Sequence, residues 1–354
     1  MVRENNSSKK SSEIELDTPK KSLQTPRAFD VSPLGQAVSV WNFVGICQEI
    51  KNLKTEREIK GFSEAAIKIS KLFGVSILDQ YKYLSEFDAN SFVDDSQLLQ
   101  TNHMLWSLME ILYESSYYNN DDIEYGLKFV KCFSNWYSHN FPIDLSQPID
   151  FLIYRHLIQG NLEKSLQLMD IHQNQLLSRG NSQVFGFEQT TTQLYYSLID
   201  FISLHPILNP STFSSDFNLL QFTQRRSILK MKALAFNQKD SFLYKACLIV
   251  VGNVQFLLEF SENWIEYLIA SHLYISDQSF SYQSRFDLAR QCYSELGELD
   301  EQYKNPVELS ILSMLSANFG ELFVHVSNTD LWLSAHLINF YCCTEMCPPS
   351  ALKM

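Results

Sequence analysis

The segment 147–173 constrains this chain more than any other. Pro148 stands where a helix can begin, and apolar residues run on to Leu157-Ile158. Gly160 fits a helix C-cap, because the left-handed conformation found there carries no Cβ penalty for glycine. Asn161 can cap the next helix at once, and Leu162, Leu166, Leu168 and Met169 follow at near-helical spacing. A helix, a two-residue break and an antiparallel helix make the αα-hairpin from which helical solenoids are built.

Composition extends that reading to the whole chain. Eleven Gly and ten Pro in 354 residues are too few for the many tight turns of a sandwich, a barrel or a doubly wound sheet. Long helices joined by short loops need fewer, and 45% hydrophobic residues are ample for a large core. The expected fold class is therefore all-α: an irregular solenoid of stacked antiparallel helix pairs, each helix burying one face on its predecessor and another on its successor.

Residues 1–35 are rich in Ser, Lys, Glu and Pro and nearly free of aromatics, so they read as a disordered polar tail ahead of a helical body, 36–354. Order is expected to begin near Leu34 to Trp41. Val38 to Phe43 shows the only strand-like alternation, and it equally suits the opening of a helix. Expected helices then run over Glu64–Phe73, Ile77–Phe87, Asp94–Glu114, from Asp121-Asp122 to Pro142, Thr190–Leu204, Phe217–Phe236, Phe242–Phe260, Trp264–Tyr274, Arg285–Leu296, Val307–Leu315, Glu321–Val326 and Leu331–Tyr341. No strict repeat period emerges. The last of these helices is apolar around much of its circumference. Leu331, Ala335, Ile338 and Cys342 are expected to form its main stripe, widened by Trp332, Leu333, Leu337 and Phe340, and to need cover.

The formal net charge is −12, and residues 1–27 hold six Lys/Arg against four acids, so the body is more acidic still. Such a body repels phosphate backbones, which speaks against direct nucleic-acid binding. The seven cysteines are odd in number, and the first four are scattered among apolar residues, as reduced buried thiols are. The strongest apolar run, Ala246 to Val251, is far shorter than the roughly 20 residues a bilayer span takes, so membrane association is expected only through partners.

Chemical motifs are scarce. Cys342, Cys343, Cys347 and His336 lack the CxxC hooks of a zinc site. Asp94-Asp95 and Asp121-Asp122 resemble the start of an aspartate-rich magnesium motif, but the fourth position on is Leu98 and Tyr125, and acids suit a helix N-terminus anyway. GxGxxG, GxxxxGK[ST], HExxH and GxSxG are absent. The aromatics recur on apolar helix faces without interleaved Arg or Lys, as packing residues do. No enzyme activity, cofactor or metal is expected. In the tail, Thr18-Pro19, Thr25-Pro26 and Ser32-Pro33 have the form of proline-directed kinase sites, and phosphate at Thr18, Thr25 or Ser32 would add about −1.5 to −2 charges each.

Five segments in order carry a family resemblance. Met104 to Tyr113, with Trp106, looks like a long Trp-bearing helix; Asp150-Phe151 through Gly160-Asn161-Leu162 resembles a hairpin; Leu204 to Leu208 resembles a Pro-Leu segment. Asn263-Trp264-Ile265 through Leu273-Tyr274 and Asp330-Leu331-Trp332 through His336-Leu337 resemble two further Trp-initiated helices. Together, over about residues 60–345, they are similar to the nucleoporin eighty-five family of ancestral-coatomer-element scaffolds in the Y-shaped complex of the nuclear pore coat.

The resemblance implies a J-shaped helical stack at the nuclear pore and nuclear envelope. It marks Trp106, Gly160, Trp264, Trp332 and His336 as structural residues. It further implies support of mRNA and protein transport, other Y-complex nucleoporins as partners, and a WD-repeat β-propeller partner. Family members give that propeller an extra blade from their N-terminal region, and here about 40 residues precede the helices. Members also continue into a C-terminal module beyond the point where this sequence stops, so the chain is expected to lack it. The alternative is a vesicle-coat or other helical adaptor on the same element.

Overall fold

The computed structural model describes residues 93–117, 123–179, 188–208, 216–239, 241–275, 282–297 and 305–343. The tail, the expected helices before Val93 and Cys347 lie outside them. Among the described residues run thirteen α-helices and no strand, so the protein is all-α. In chain order they are α1 Val93–Tyr117, α2 Ile123–Asn140, α3 Ile149–Ile158, α4 Leu162–Arg179, α5 Glu188–Ser203, α6 Asp216–Leu234 and α7 Phe242–Val250. There follow α8 Val254–Phe260, α9 Trp264–Tyr274, α10 Tyr282–Leu296, α11 Pro306–Leu315, α12 Phe319–Thr329 and α13 Leu331–Cys343.

The joint at Gly160-Asn161 has the backbone geometry expected of its glycine, while the Asn161 side chain turns away and donates its Nδ2 to Ser138 Oγ (2.7 Å). Gly160 adopts φ 77°. The Asn161 amide donates to His156 O (2.8 Å) and the Gly160 amide to Leu157 O (3.1 Å), the paired bonds of a Schellman motif. The same joint recurs twice. Gly252 (φ 75°) and Asn253 close α7 on Ile249 O and Leu248 O, and Asn253 Oδ1 then accepts from the Phe256 amide to start α8. Ala317 (φ 52°) and Asn318 close α11 on Met314 O and Ser313 O and lead into α12.

The second joint corrects the expected single helix over Phe242–Phe260. It is two helices bent by 111° at Gly252. Apolar residues on both sides conceal the break, but the bend brings Gly252 so close to α9 that a Cβ there would stand 2.2 Å from Tyr274 O. No single helix among the described residues is long and apolar enough to cross a membrane.

Consecutive helices pair as expected: α1 with α2, α3 with α4, α5 with α6, α9 with α10 and α11 with α12. The packing also goes further than contacts between neighbours. From α7 onward the chain folds back along its own first half: α7 packs on α3 and α5, α9 on α2 and α3, and α11 on α1. Phe340 of α13 meets Trp106 and Tyr113 of α1 edge-on, with ring centroids 5.7 and 5.2 Å apart.

This return places α9 at the centre. All eleven of its residues are buried, as the all-round apolar sequence of a helix with neighbours on every side requires. The return also decides which face of α13 is covered. Leu333, Leu337, Phe340 and Tyr341 point into the core, whereas Leu331 is 73% exposed and Ala335 is exposed too.

A buried polar centre on helix α9 as the candidate functional site

Asn263 starts α9, its Oδ1 accepting from the amides of Ile265 (3.0 Å) and Glu266 (3.1 Å). That cap fixes Glu266 in the first turn, facing α2 and α3. Glu266 is fully buried and Arg155 of α3 nearly so. Arg155 grips the Glu266 carboxylate with both terminal nitrogens, Nη1 to Oε2 at 2.6 Å and Nη2 to Oε1, in the bidentate form that guanidinium and carboxylate favour. Gln159 Nε2 (2.9 Å) and the Tyr137 hydroxyl (3.2 Å) also donate to Oε1, and the Glu262 amide (2.8 Å) donates to Oε2. Tyr137 in turn accepts from Asn263 Nδ2 (2.7 Å). Burial, then the Glu266 charge, pushes the Tyr137 hydroxyl far above its ordinary pKa, so it stays protonated and donating. Five donors on one carboxylate use its acceptor sites, which offsets the cost of burying charge.

Further ties flank this centre. His205 Nδ1 accepts from the Ile207 amide (3.3 Å), which leaves Nε2–H to donate to Leu273 O (3.3 Å). Burial lowers the His205 pKa to about 4, so the ring is neutral at physiological pH. Arg226 Nη1 donates to Tyr274 O (2.8 Å), and the Tyr274 hydroxyl donates to Leu157 O (2.9 Å). α9 is thus tied to α2, to α3, to the end of α5 and to α6. Beneath it, His272 and Arg285 line a cavity of about 10 Å³ with Phe129 and Leu268, room for about one water. Burial, then the Arg285 charge, lowers the His272 pKa to about 3. An open polar groove runs beside the α3–α4 joint, between Lys131, His139, Lys164 and Ile207.

The residues singled out from the sequence lie around this centre rather than in it. Trp106 is fully buried on α1. Gly160 closes α3, and a Cβ there would stand 2.9 Å from Ser134 Oγ. Trp264 opens α9, buried, its Nε1 donating to Glu308 Oε1 (2.6 Å). His336 is buried on α13, and burial lowers its pKa to about 4. Trp332 lies on α13 with its side chain outside the described residues, as are Thr18, Thr25 and Ser32. Among the described residues no three His, Cys, Asp or Glu side chains come together as a metal ion would need.

Sequence reasoning missed Arg155, Glu266, Tyr137, Gln159 and Asn263. One signal was available: Arg155 in IDFLIYRHLI and Glu266 in WIEYLIASHLY each put a charge amid apolar helix sequence.

Fold and centre together define a class: an all-α protein of helix pairs folded back on themselves and locked by buried polar ties. A family model described as Nup85 Nucleoporin matches residues 150–346, more than half of the chain, and the protein belongs to that family of nucleoporins. No curated protein matches it. The match begins at α3 and ends just past α13, so it takes in Arg155, Glu266 and the whole return.

Proposed function

We propose that this nucleoporin is a non-catalytic scaffold subunit of the Y-shaped complex of the nuclear pore, supporting passage of mRNA and protein by holding the pore coat together. The observation that carries the reading is the match to the nucleoporin family over the folded-back helices. The buried centre agrees with it, because Arg155 and Glu266 are spent on each other in the core and leave no acceptor on Glu266 to work on a substrate. The family match favours the pore over a vesicle coat. Other Y-complex nucleoporins are the expected partners, with a WD-repeat β-propeller among them.

The test is a tagged chain expressed in cells, imaged and then captured for mass spectrometry. A signal at the nuclear rim with co-purifying nucleoporins is the expected result. Diffuse signal with no nucleoporin in the capture would overturn the reading. Capture of nucleoporins without a propeller would remove only that partner.

A further inference from the structure

Among the described residues, helix α6 carries the largest group of exposed large apolar side chains. It packs on α5 and α7 through Phe222, Leu229 and Ala233, which are buried. Its other side exposes four large apolar residues: Leu220 (56%), Ile228 (48%), Met231 (63%) and Leu234 (55%). Leu220, Met231 and Leu234 recur close to whole helical turns, and Ile228 lies beside them, so the four share one side of the helix, with the exposed Gln224 and Ser227 among them.

The charge around this side is reversed relative to the chain. From Asp216 to Glu259 there are six basic residues (Arg225, Arg226, Lys230, Lys232, Lys239 and Lys245) and three acids (Asp216, Asp240 and Glu259), in a protein of net charge −12. Arg226 is turned inward to Tyr274 O, and Lys245 sits 6.0 Å over the Phe260 ring. Arg225, Lys230 and Lys232 are exposed on α6, flanking the apolar residues on both sides. Arg225 approaches Asp200 at 3.5 Å and Lys232 Nζ reaches Ser197 Oγ at 2.9 Å, both on α5.

We infer that the outer face of α6 docks on an anionic phospholipid bilayer, with Leu220, Ile228, Met231 and Leu234 entering the headgroup boundary and Lys230 and Lys232 meeting lipid phosphates. Apolar residues flanked by basic ones on one helix face are the pattern of interfacial helices. A second copy of the chain is disfavoured, since two such faces would oppose like charges. Nucleic acid would leave the four apolar residues without a partner. A protein partner fits less well, because lysine is depleted in protein interfaces. The acidic remainder of the chain does not forbid the contact, since charges beyond about 8–10 Å are largely screened at physiological salt. The contact is peripheral.

The experiment is vesicle co-sedimentation of the full chain, with phosphatidylcholine vesicles compared against vesicles that also contain phosphatidylserine. Binding to the serine-containing vesicles, weakened by salt, is expected. Lys230→Gln with Lys232→Gln should weaken it about 30-fold, taking roughly a 1 kcal/mol contribution per basic residue at an anionic surface. Ile228→Ser with Met231→Ser should weaken it at unchanged charge, and circular dichroism melts should show both variants folded like the parent. Failure of the parent to sediment with either vesicle overturns the inference, as does binding that neither double variant changes. A photo-crosslinker at Met231 that joins an acidic polypeptide in cells, with no vesicle binding, would assign the face to protein instead.

Discussion

Replacing Glu266 by leucine tests whether the buried polar centre holds the return of the chain against its first half. The change removes the acceptor of five donors and leaves Arg155, 3% exposed, inside the core. Breaking a buried ion pair from one side costs about 3–5 kcal/mol, because the remaining charge is uncompensated. Here the lower end applies: Glu262 Oε2 also lies 2.8 Å from Arg155 Nη2, and its side chain is 62% exposed, so it can take part of the charge at the edge of solvent. A loss of about 3 kcal/mol is a large share of the roughly 5–15 kcal/mol by which domains are stable. It should lower the melting midpoint by roughly 6–12 °C at about 2–4 °C per kcal/mol. The double variant Arg155→Met, Glu266→Leu removes both charges for similar apolar volume and should recover most of the loss. The assay is thermal and urea unfolding followed by far-ultraviolet circular dichroism. If Glu266→Leu melts with the parent, or the double variant is no more stable than the single one, the centre is not what joins the two halves.

Other outcomes follow from the same packing. Trp106→Ala should cost about 3–5 kcal/mol in urea unfolding. Because the ring meets Phe340, adding Phe340→Ala should cost less than the sum of the two single changes. Gly252→Ala should destabilise more than Gly160→Ala, since its Cβ would stand 2.2 Å from a backbone oxygen rather than 2.9 Å from the side chain of Ser134. Ala317→Gly should instead raise stability by up to about 1 kcal/mol, by relieving a left-handed alanine. His156, His205, His272 and His336 are buried with pKa values lowered to about 4, 4, 3 and 4. The unfolded chain, with histidines near 6.5, therefore binds more protons as pH falls, so stability should decline from about pH 6.5 down to about pH 4. Melts across that window should show the decline, and His272→Phe should flatten it; a parent curve that is level there would contradict the burial of these rings.

What this sequence determined by itself is whatever rests on local spacing. Gly160-Asn161 announced its joint because a Schellman motif is closed by residues within one turn of each other, and glycine is the residue that left-handed backbone favours. Trp264–Tyr274 was legible to the residue, as a run that is apolar over most of its circumference. Of the other two joints, Gly252 was hidden inside a continuous apolar run, whereas the break after Leu315 was legible although Ala317 is not a turn-forming residue.

Only the tertiary structure decided which helices meet beyond the consecutive pairs. Glu266 lies 111 residues from Arg155, and Asn102 Nδ2 donates to Asp330 Oδ2 across 228 residues at 2.5 Å. No periodicity within one helix encodes such partners. The outer face of α13 shows why. Leu331 is as apolar as the buried Leu333 and Leu337, so composition alone makes either stripe a candidate for burial. The choice was made by the return of the chain, which sets Phe340 against Trp106 and turns Leu331 outward. Hydrophobic burial is non-directional, and the direction came from the buried charges and the joints that let the chain fold back.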